Sequence, residues 1–435
     1  MILATSISKS IILVIGILLV VTLLLILMLL FVKEKLSPSG PVKISINGKR
    51  EIEVNSGDSL LTTLSSQKIF LPSACGGGGT CIQCECHINS GGGVALATET
   101  PHFTRKELQS GARLACQVKV KQDMDISIPD EVFGIKKWEA TVVRNYNVAS
   151  FIKEFVVRIP EDMGYKAGGY IQIEIPETEV KFSDIDIEAH PEEHDSPDKF
   201  KVEWDKFNLW PLVMKNSEIT ERAYSMASYP EEGRDIILNV RIATPPWDSD
   251  KNSWMDVNPG IASSYMFSRK PGDKVTISGP FGEFFINHSE AEMLYVGGGA
   301  GMAPLRSHLY HLFNTLKTGR KVSYWYGGRS RRELFYLDHF YKLEKSFPNF
   351  KFYISLSEPL PEDNWKIKKD INSEGDGFVG FIHNCVIENY LNYHESPEDI
   401  ELYFCGPPLM NQAAQKMGED FGIPDENIRF DDFGI

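Results

Sequence analysis

The sequence is short of several things, and each shortage removes a class of protein. Cysteine is scarce, seven in 435 residues, too few for a disulfide scaffold. Positive charge is in deficit: 45 lysines and arginines face 59 aspartates and glutamates, a net charge of −14. That balance argues against a nucleic-acid binder held by phosphate contacts. No internal repeat of twenty to fifty residues is present, so a solenoid or propeller is excluded. Hydrophobic content of 42% and charged content of 24% fit neither a disordered chain nor a multi-span membrane protein. The length suggests about three domains.

What is present starts at the N-terminus. Ile11 to Val32 carries no charge and is about long enough as a helix to cross ~30 Å of hydrocarbon. It ends in Phe31-Val32-Lys33-Glu34-Lys35, with none of the small residues of a signal-peptide cleavage site. A permanent anchor over 1–33, spanning 11–32, is expected. Lys9 is the one basic residue ahead of it, whereas Lys33, Lys35, Lys43, Lys49 and Arg50 follow. The positive-inside bias then puts the rest of the chain in the cytoplasm.

A polar linker, 34–41, leads to a first domain over 42–130. Val42 to Val54 alternates around Asn47-Gly48, which predicts an antiparallel hairpin, and a short helix is expected within 58–69. A second strand-rich domain is predicted over 137–287. Its pattern is interrupted at 177–215 by eleven acids and five bases, read as a solvated surface insertion or as an acidic docking surface for a neighbouring subunit. The third domain, 290–435, alternates strand, glycine turn and helix, the mark of a parallel α/β sheet.

Five of the seven cysteines fall between Cys75 and Cys116. Cys75-Gly-Gly-Gly-Gly-Thr-Cys81-Ile-Gln-Cys84, with Cys116 further on, offers three thiolates on one glycine-rich loop and a fourth from elsewhere. A [2Fe–2S] cluster needs such a loop, because glycine supplies the unusual dihedrals and backbone N–H groups must face the sulfides. Zinc prefers paired ligands from short knuckles, and Cys116 has no near partner of that kind. Cys86 is left out of the ligand set as a small buried thiol at a strand start. His87 and His102 are read as surface histidines.

Two further stretches point to nucleotides. In Arg222-Ala-Tyr224-Ser225, the planar guanidinium suits a diphosphate, the phenol ring suits isoalloxazine packing, and the serine hydroxyl suits its N5 edge. Forty residues on, Gly260-Ile-Ala-Ser263-Ser264 opens a predicted helix, a ready pyrophosphate site. Together these favour FAD. The apolar strand Met293–Val296 then runs into Gly297-Gly298-Gly299-Ala-Gly301-Met-Ala-Pro304 and a helical face, a phosphate turn that is not the G-x-G-x-x-G fingerprint. Glu401–Cys405 is a later strand delivering Cys405 to the sheet's C-terminal edge. Cys405 is read as a cleft-facing thiol, with a small core residue as the alternative. Arg329, Arg331 and Arg332 follow another strand, where a 2′-phosphate could be read; an exposed charged loop is the alternative.

Arg222-x-Tyr224-Ser225, Gly297–Pro304 and Cys405-Gly406-Pro407 together resemble the ferredoxin–NADP reductase superfamily. The order of anchor, cysteine loop, flavin motif and nicotinamide motif, with the ending Phe430-Asp-Asp-Phe433-Gly-Ile, resembles the F-subunit family of sodium-translocating NADH:quinone reductases. The Cys-x5-Cys-x2-Cys gap is similar to that family and departs from the plant-type Cys-x4-Cys-x2-Cys. The resemblance implies a multidomain fold: one N-terminal transmembrane helix, an α+β β-grasp [2Fe–2S] ferredoxin domain, an antiparallel β-barrel FAD domain and an α/β NADH domain. It implies that Cys75, Cys81, Cys84 and Cys116 carry the cluster. Arg222, Tyr224 and Ser225 would hold FAD, with Gly260, Ser263 and Ser264 on its diphosphate. Gly297, Gly298, Gly299, Gly301 and Pro304 would hold NADH, with Cys405 beside the nicotinamide. Phe433 would cover the flavin face and move for hydride transfer. The implied activity is electron input to a respiratory complex in a bacterial inner membrane: NADH oxidised through FAD and the cluster, then other membrane subunits, then quinone. A membrane-tethered NADH-dependent reductase feeding an oxygenase is the alternative.

Overall fold

A computed structural model describes residues 15–26, 28, 40–73, 75–192 and 194–433. Positions 15–26 and 28 are helical and exposed. Among the described residues, no helix is long and apolar enough to cross a membrane; positions 11–14, 27 and 29–32 of the span expected over 11–32 lie outside them. The chain forms two compact units, 1–72 with 77–133, and 134–435 with 73–76.

The first unit is a mixed five-stranded sheet. Strands β1 (Pro41–Ile46) and β2 (Arg50–Asn55) form the antiparallel hairpin that the alternation predicts. Asn47 and Gly48 turn it at φ 54° and 62°, a conformation that Asn-Gly tolerates without strain. Strands β3 (Glu85–Ser90), β4 (Ala112–Leu114) and β5 (Met124–Ser127) complete the order β2-β1-β5-β3-β4, with β5 parallel to β1. The helix Leu60–Ser66 starts at Ser59, whose Oγ accepts the Thr62 N–H at 3.2 Å, and buries Leu60 and Leu64 under the sheet.

The second unit holds two sheets. Strands β6 (Lys136–Ala149), β7 (Ile152–Arg158), β8 (Tyr170–Ile175), β11 (Thr220–Ser225), β12 (Asp235–Arg241) and β15 (Lys274–Phe281) pair antiparallel throughout, in the order β11-β8-β15-β6-β7-β12. A bridge between Met226 and Leu238 joins the two outer strands just past β11, so the sheet curls into a barrel around Ile171, Ile173, Leu238 and Ile277. Two small ribbons decorate it: β9 (Thr178–Lys181) with β10 (Val213–Asn216), and β13 (Trp247–Asp248) with β14 (Ser253–Trp254). The acidic stretch 177–215 is therefore more than a solvated loop. Glu203 is buried and pairs with Arg332 at 3.1 Å. Phe182, Trp204 and Leu209 are buried in the barrel core and Phe200 is buried as well, and Trp204 Nε1 donates to the Ser150 carbonyl at 2.8 Å. Those four apolar anchors are spaced irregularly, and no periodicity betrays them.

The other sheet is wholly parallel: β16 (Met293–Gly298), β17 (Val322–Gly328), β18 (Phe350–Leu356), β19 (Phe378–Val379), β20 (Glu401–Cys405) and β21 (Ile428–Asp431), in the order β19-β18-β17-β16-β20-β21. Its central strands are buried on both faces, as parallel strands must be. Connections run one way from β16 to β17 and the other way to β20, which creates a switch point at their carboxyl ends. The barrel and this sheet are laced together. Arg306 donates to the Ala227 carbonyl (2.7 Å) and to Glu232 (2.8 and 3.0 Å), Ser307 to Ser228 O (2.7 Å), and Tyr336 Oη to Glu154 (2.6 Å).

The first unit keeps one ion pair wholly inside. Arg113 and Glu99 meet at 2.8 Å with side chains 6% and 0% exposed. Burial pushes the Glu99 carboxyl up, but Arg113 and the Leu96 and Leu114 N–H groups bring it below its ordinary value. Glu99→Gln leaves a buried guanidinium without its counter-charge, a loss of about 3 kcal/mol or more. The unfolding of this unit in the full chain, followed by circular dichroism, is expected to shift down by about 10 °C. In the wild type the pair's contribution is complete above the unfolded carboxylate's pKa and fades as pH falls through the lower folded value.

Candidate functional site

In the first unit, Cys81 and Cys116 are partly exposed and Cys84 is buried. The thiols of Cys84 and Cys116 are hydrogen-bonded, and that bond together with burial pushes Cys84 far above a normal thiol; Cys81 lies near enough to add to the effect. Gln117 Nε2 reaches the Cys116 sulfur at 3.4 Å. The glycine loop has the backbone that its composition predicts: Gly77, Gly79 and even Ile82 take φ of 91°, 77° and 63°. Cys75 is partly exposed ahead of the glycine run. No three described His, Cys, Asp or Glu side chains converge on one ion position. Cys86 is buried on β3 and pushed up to about 12, chiefly by burial, as expected for a structural thiol.

In the barrel, Arg222, Tyr224 and Ser225 lie on β11, with Ser225 its last residue. Strand alternation places Arg222 and Tyr224 on one face and Ser225 on the other. Burial raises the Tyr224 phenol well above its usual range, so it remains a neutral, largely apolar ring. Gly260 precedes the helix Ile261–Ser268. Ser263 Oγ holds this turn, accepting from Ala243 N (3.1 Å) and donating to Gly260 O (3.2 Å). Ser264 Oγ is buried with no partner, an orphaned donor at a helix N-terminus that a bound diphosphate oxygen would satisfy.

In the parallel sheet, a cavity of about 580 Å³ opens at the carboxyl ends of the strands. Its walls include Gly298, Gly299, Gly327, Arg329, Phe381 and Pro407, so each central strand contributes at its end. Gly298 and Gly299 thus face the space, the latter at φ 58°. Gly297, Gly301 and Pro304 are buried behind it. A Cβ on Gly297 would meet Leu305 and Tyr324, and one on Gly301 would collide with the Cys405 carbonyl oxygen. These two glycines let the turn sit close against its own sheet.

Cys405 pairs with Gly297 on one side and Asp431 on the other. The cleft-facing thiol expected from the sequence is not found: Cys405 is fully buried in the apolar core and does not line the cavity. Burial, with Asp431 and Asp432 nearby, pushes its thiol well up, so it is a neutral SH and not a nucleophile. Asp431 is the residue that sequence reasoning missed. Its carboxylate accepts the Ser225 hydroxyl at 2.5 Å across the seam, and burial raises it to about 6 although that bond pulls it down. The only sequence signal was an acid pair ahead of the terminal aromatic, and nothing local links position 431 to 225. Phe433, 46% exposed, lies two residues further on.

Residues 44–121 match the family model described as a 2Fe-2S iron-sulfur cluster binding domain, and residues 295–416 match the oxidoreductase NAD-binding domain. The chain is 52% identical over 406 residues to the F subunit of the Na(+)-translocating NADH-quinone reductase of Neisseria meningitidis, covering 93% of this chain and 94% of that relative. To the F subunit of the same reductase from Pseudomonas aeruginosa it is 50% identical over 430 residues, covering 98% and 100%. Among solved structures it is similar to an Amycolatopsis cytochrome P450 reductase (TM-score 0.59, 21% identity, 90% of this chain and 98% of that one). It is also similar to the ferredoxin reductase in carbazole 1,9a-dioxygenase (TM-score 0.55, 21% identity, 91% and 99%). At that identity the likeness is one of fold.

Two measurements probe this geometry. Gly301→Ala forces the turn off the Cys405 carbonyl, and KM for NADH is expected to rise about tenfold or more, with the melting temperature lowered by a few degrees. Asp431 is ionised above about pH 6 and orients Ser225; below that it is protonated. Stopped-flow flavin reduction by NADH is expected to slow as pH falls through about 6. In Asp431→Asn it is expected to be about tenfold slower than wild type above that pH, to converge with the slowed wild type below it, and to lack the inflection.

Proposed function

Because the chain belongs to the family of Na(+)-translocating NADH-quinone reductase F subunits, we propose that it is the electron-input subunit of such a complex, oxidising NADH and passing electrons to membrane partner subunits and finally to quinone. The observation that carries this reading is the joining, in one chain, of a three-cysteine glycine loop with a fourth cysteine, Cys116, and a nicotinamide-type cavity set against a barrel with an Arg-x-Tyr-Ser strand. When bound, FAD takes a hydride from NADH and releases electrons singly to a [2Fe–2S] cluster. Cys75, Cys81, Cys84 and Cys116 are assigned to the cluster. Arg222, Tyr224, Gly260, Ser263 and Ser264 are assigned to FAD, and the Gly297–Pro304 turn to NADH.

The remaining steps belong to side chains. Ser225 commits its single proton to Asp431 while that carboxylate is ionised, so Oγ offers only lone pairs on its other side. Protonating Asp431 frees the hydroxyl to donate instead. Cys405, held as a neutral thiol, adds bulk without charge beside this pair. Phe433 is assigned to shield the site from water and to move aside for the nicotinamide.

The N-terminal segment is assigned as a single-pass anchor in the bacterial inner membrane, with the rest of the chain cytoplasmic. Thr22 is the one polar residue of the 11–32 run, and its hydroxyl donates to the Leu18 and Leu19 carbonyls of its own helix (2.9 and 3.0 Å). Such a run offers an ion no ligands, so sodium movement is assigned to other subunits. Purified full-length chain is expected to contain flavin and iron, to lose visible absorbance on adding NADH, and to reduce ferricyanide. Ferricyanide reduction surviving removal of FAD would overturn the assignment.

A further inference from the structure

Cys116 sits beside an unusually fastened loop. Its neighbour Gln117 donates to the Cys116 sulfur and to Gly77 O, both at 3.4 Å, and accepts from Thr98 Oγ1 at 3.0 Å. That last bond ties the end of loop 91–98 to the fourth cysteine. From inside, Arg113 donates to the carbonyls of Gly92 (3.1 Å), Gly93 (3.2 Å) and Val94 (3.3 Å), while Glu99 accepts the Leu96 N–H at 2.8 Å. A buried ion pair is thus used to fix this one loop. The loop so fixed holds Val94 89% exposed and Leu96 46% exposed.

Neither exposure helps the fold. Ordering aliphatic side chains in water forgoes their burial, and a buried charge pair is a costly way to do it. Charge is also absent from three stretches that carry or adjoin Cys81, Cys84 and Cys116, although Glu85 follows Cys84 and the Arg222 guanidinium lies against Gly76. Residues 77–84, 91–98 and 114–118 contain no charged side chain, in a chain that is 24% charged with a net charge of −14. Interface centres have this composition: apolar side chains, charge depleted, in a preorganised backbone. The loop's end, Thr98, is bonded to Gln117, the neighbour of Cys116, and a one-electron acceptor must approach the cysteines.

We infer that the lip formed by Val94 and Leu96 is the docking surface through which electrons leave the chain, and that its occupant is an uncharged, apolar face of a separate one-electron-accepting protein. This rests on the assignment of the four cysteines to a [2Fe–2S] cluster. The step is a bare electron transfer: the cluster loses one electron, the acceptor gains one, and no bond or proton moves. An uncharged apolar partner follows from charge matching. An acidic acceptor would be repelled by the chain as a whole, and a basic one would find no counter-charge on the lip.

The test uses the intact membrane complex carrying Val94→Asp or Leu96→Asp, with Val94→Ile as the conservative control. NADH:ferricyanide activity and the NADH-generated cluster signal in low-temperature electron paramagnetic resonance are expected to stay within about twofold of wild type, while NADH:quinone turnover falls about tenfold or more in the Asp variants only. Wild-type turnover is expected to change less than about twofold between roughly 0.05 and 0.5 M salt, since no charges are there to be screened. Unchanged quinone turnover in the Asp variants, or a steep salt dependence in wild type, overturns the inference. So does a weakened NADH-generated cluster signal in Val94→Asp, which would put the lip on the preceding electron step. If the wild-type cluster gives no signal with NADH at all, the assignment of function fails rather than the lip.

Discussion

One hydrogen bond, from the Ser225 hydroxyl to the Asp431 carboxylate, ties the last strand of the parallel sheet to the barrel strand that carries Arg222 and Tyr224. Its donor and acceptor are 206 residues apart in the chain, and it exists only because β21 pairs beside β20 in a register that sets Asp431 against Cys405. The interaction fixes both the position of the hydroxyl and its proton, and through burial it gives the second unit a carboxyl that titrates near pH 6. The seam around it must be rigid for that bond to keep its length. Arg306, buried between Glu232 and the Ala227 carbonyl, supplies part of the rigidity, and the hydrogen bonds from Asn239 to Tyr336 and from Tyr336 to Glu154 supply more.

A comparable device recurs in the first unit. There a single buried guanidinium organises a loop of glycines by donating to its carbonyls, and the matching carboxylate caps two backbone N–H groups. In the first unit this buried pair holds the loop that is bonded to Gln117, whereas the most buried ion pair of the second unit, Arg320 with Glu401, sits at the start of β20, away from the cavity. Buried charge pairs contribute little net stability against apolar replacements, and their placement here fits a role in holding geometry.

Much of the architecture was legible in local patterns. The Asn47-Gly48 hairpin, the strand-turn-helix after Met293 and the left-handed glycine loop between Cys75 and Cys84 could be read from spacing because each is a short-range device. Relatives at about 50% identity over nearly the whole length agree with the family to which those motifs pointed. The acidic stretch 177–215 was harder. Its charges dominate the reading, while the anchors Phe182, Phe200 and Trp204 follow no helical or strand period. The site glycines were legible as a group but not individually. Spacing cannot distinguish Gly298 and Gly299, which face the cavity, from Gly297 and Gly301, whose missing Cβ serves close packing against Leu305 and the Cys405 carbonyl.

By itself, then, the sequence determined the inventory: which residues can bind sulfur-bridged iron, cradle a phosphate or turn a hairpin, and in what order along the chain. These depend on neighbours within about ten residues, and local chemistry is enough to specify them. Only the tertiary structure decided which of them meet. That Cys405 is sealed from solvent, that Ser225 finds a carboxylate, and that Val94 is held out in water by Arg113 all depend on strand order and register. Those are set by global packing, where a shift of one residue reverses every side chain.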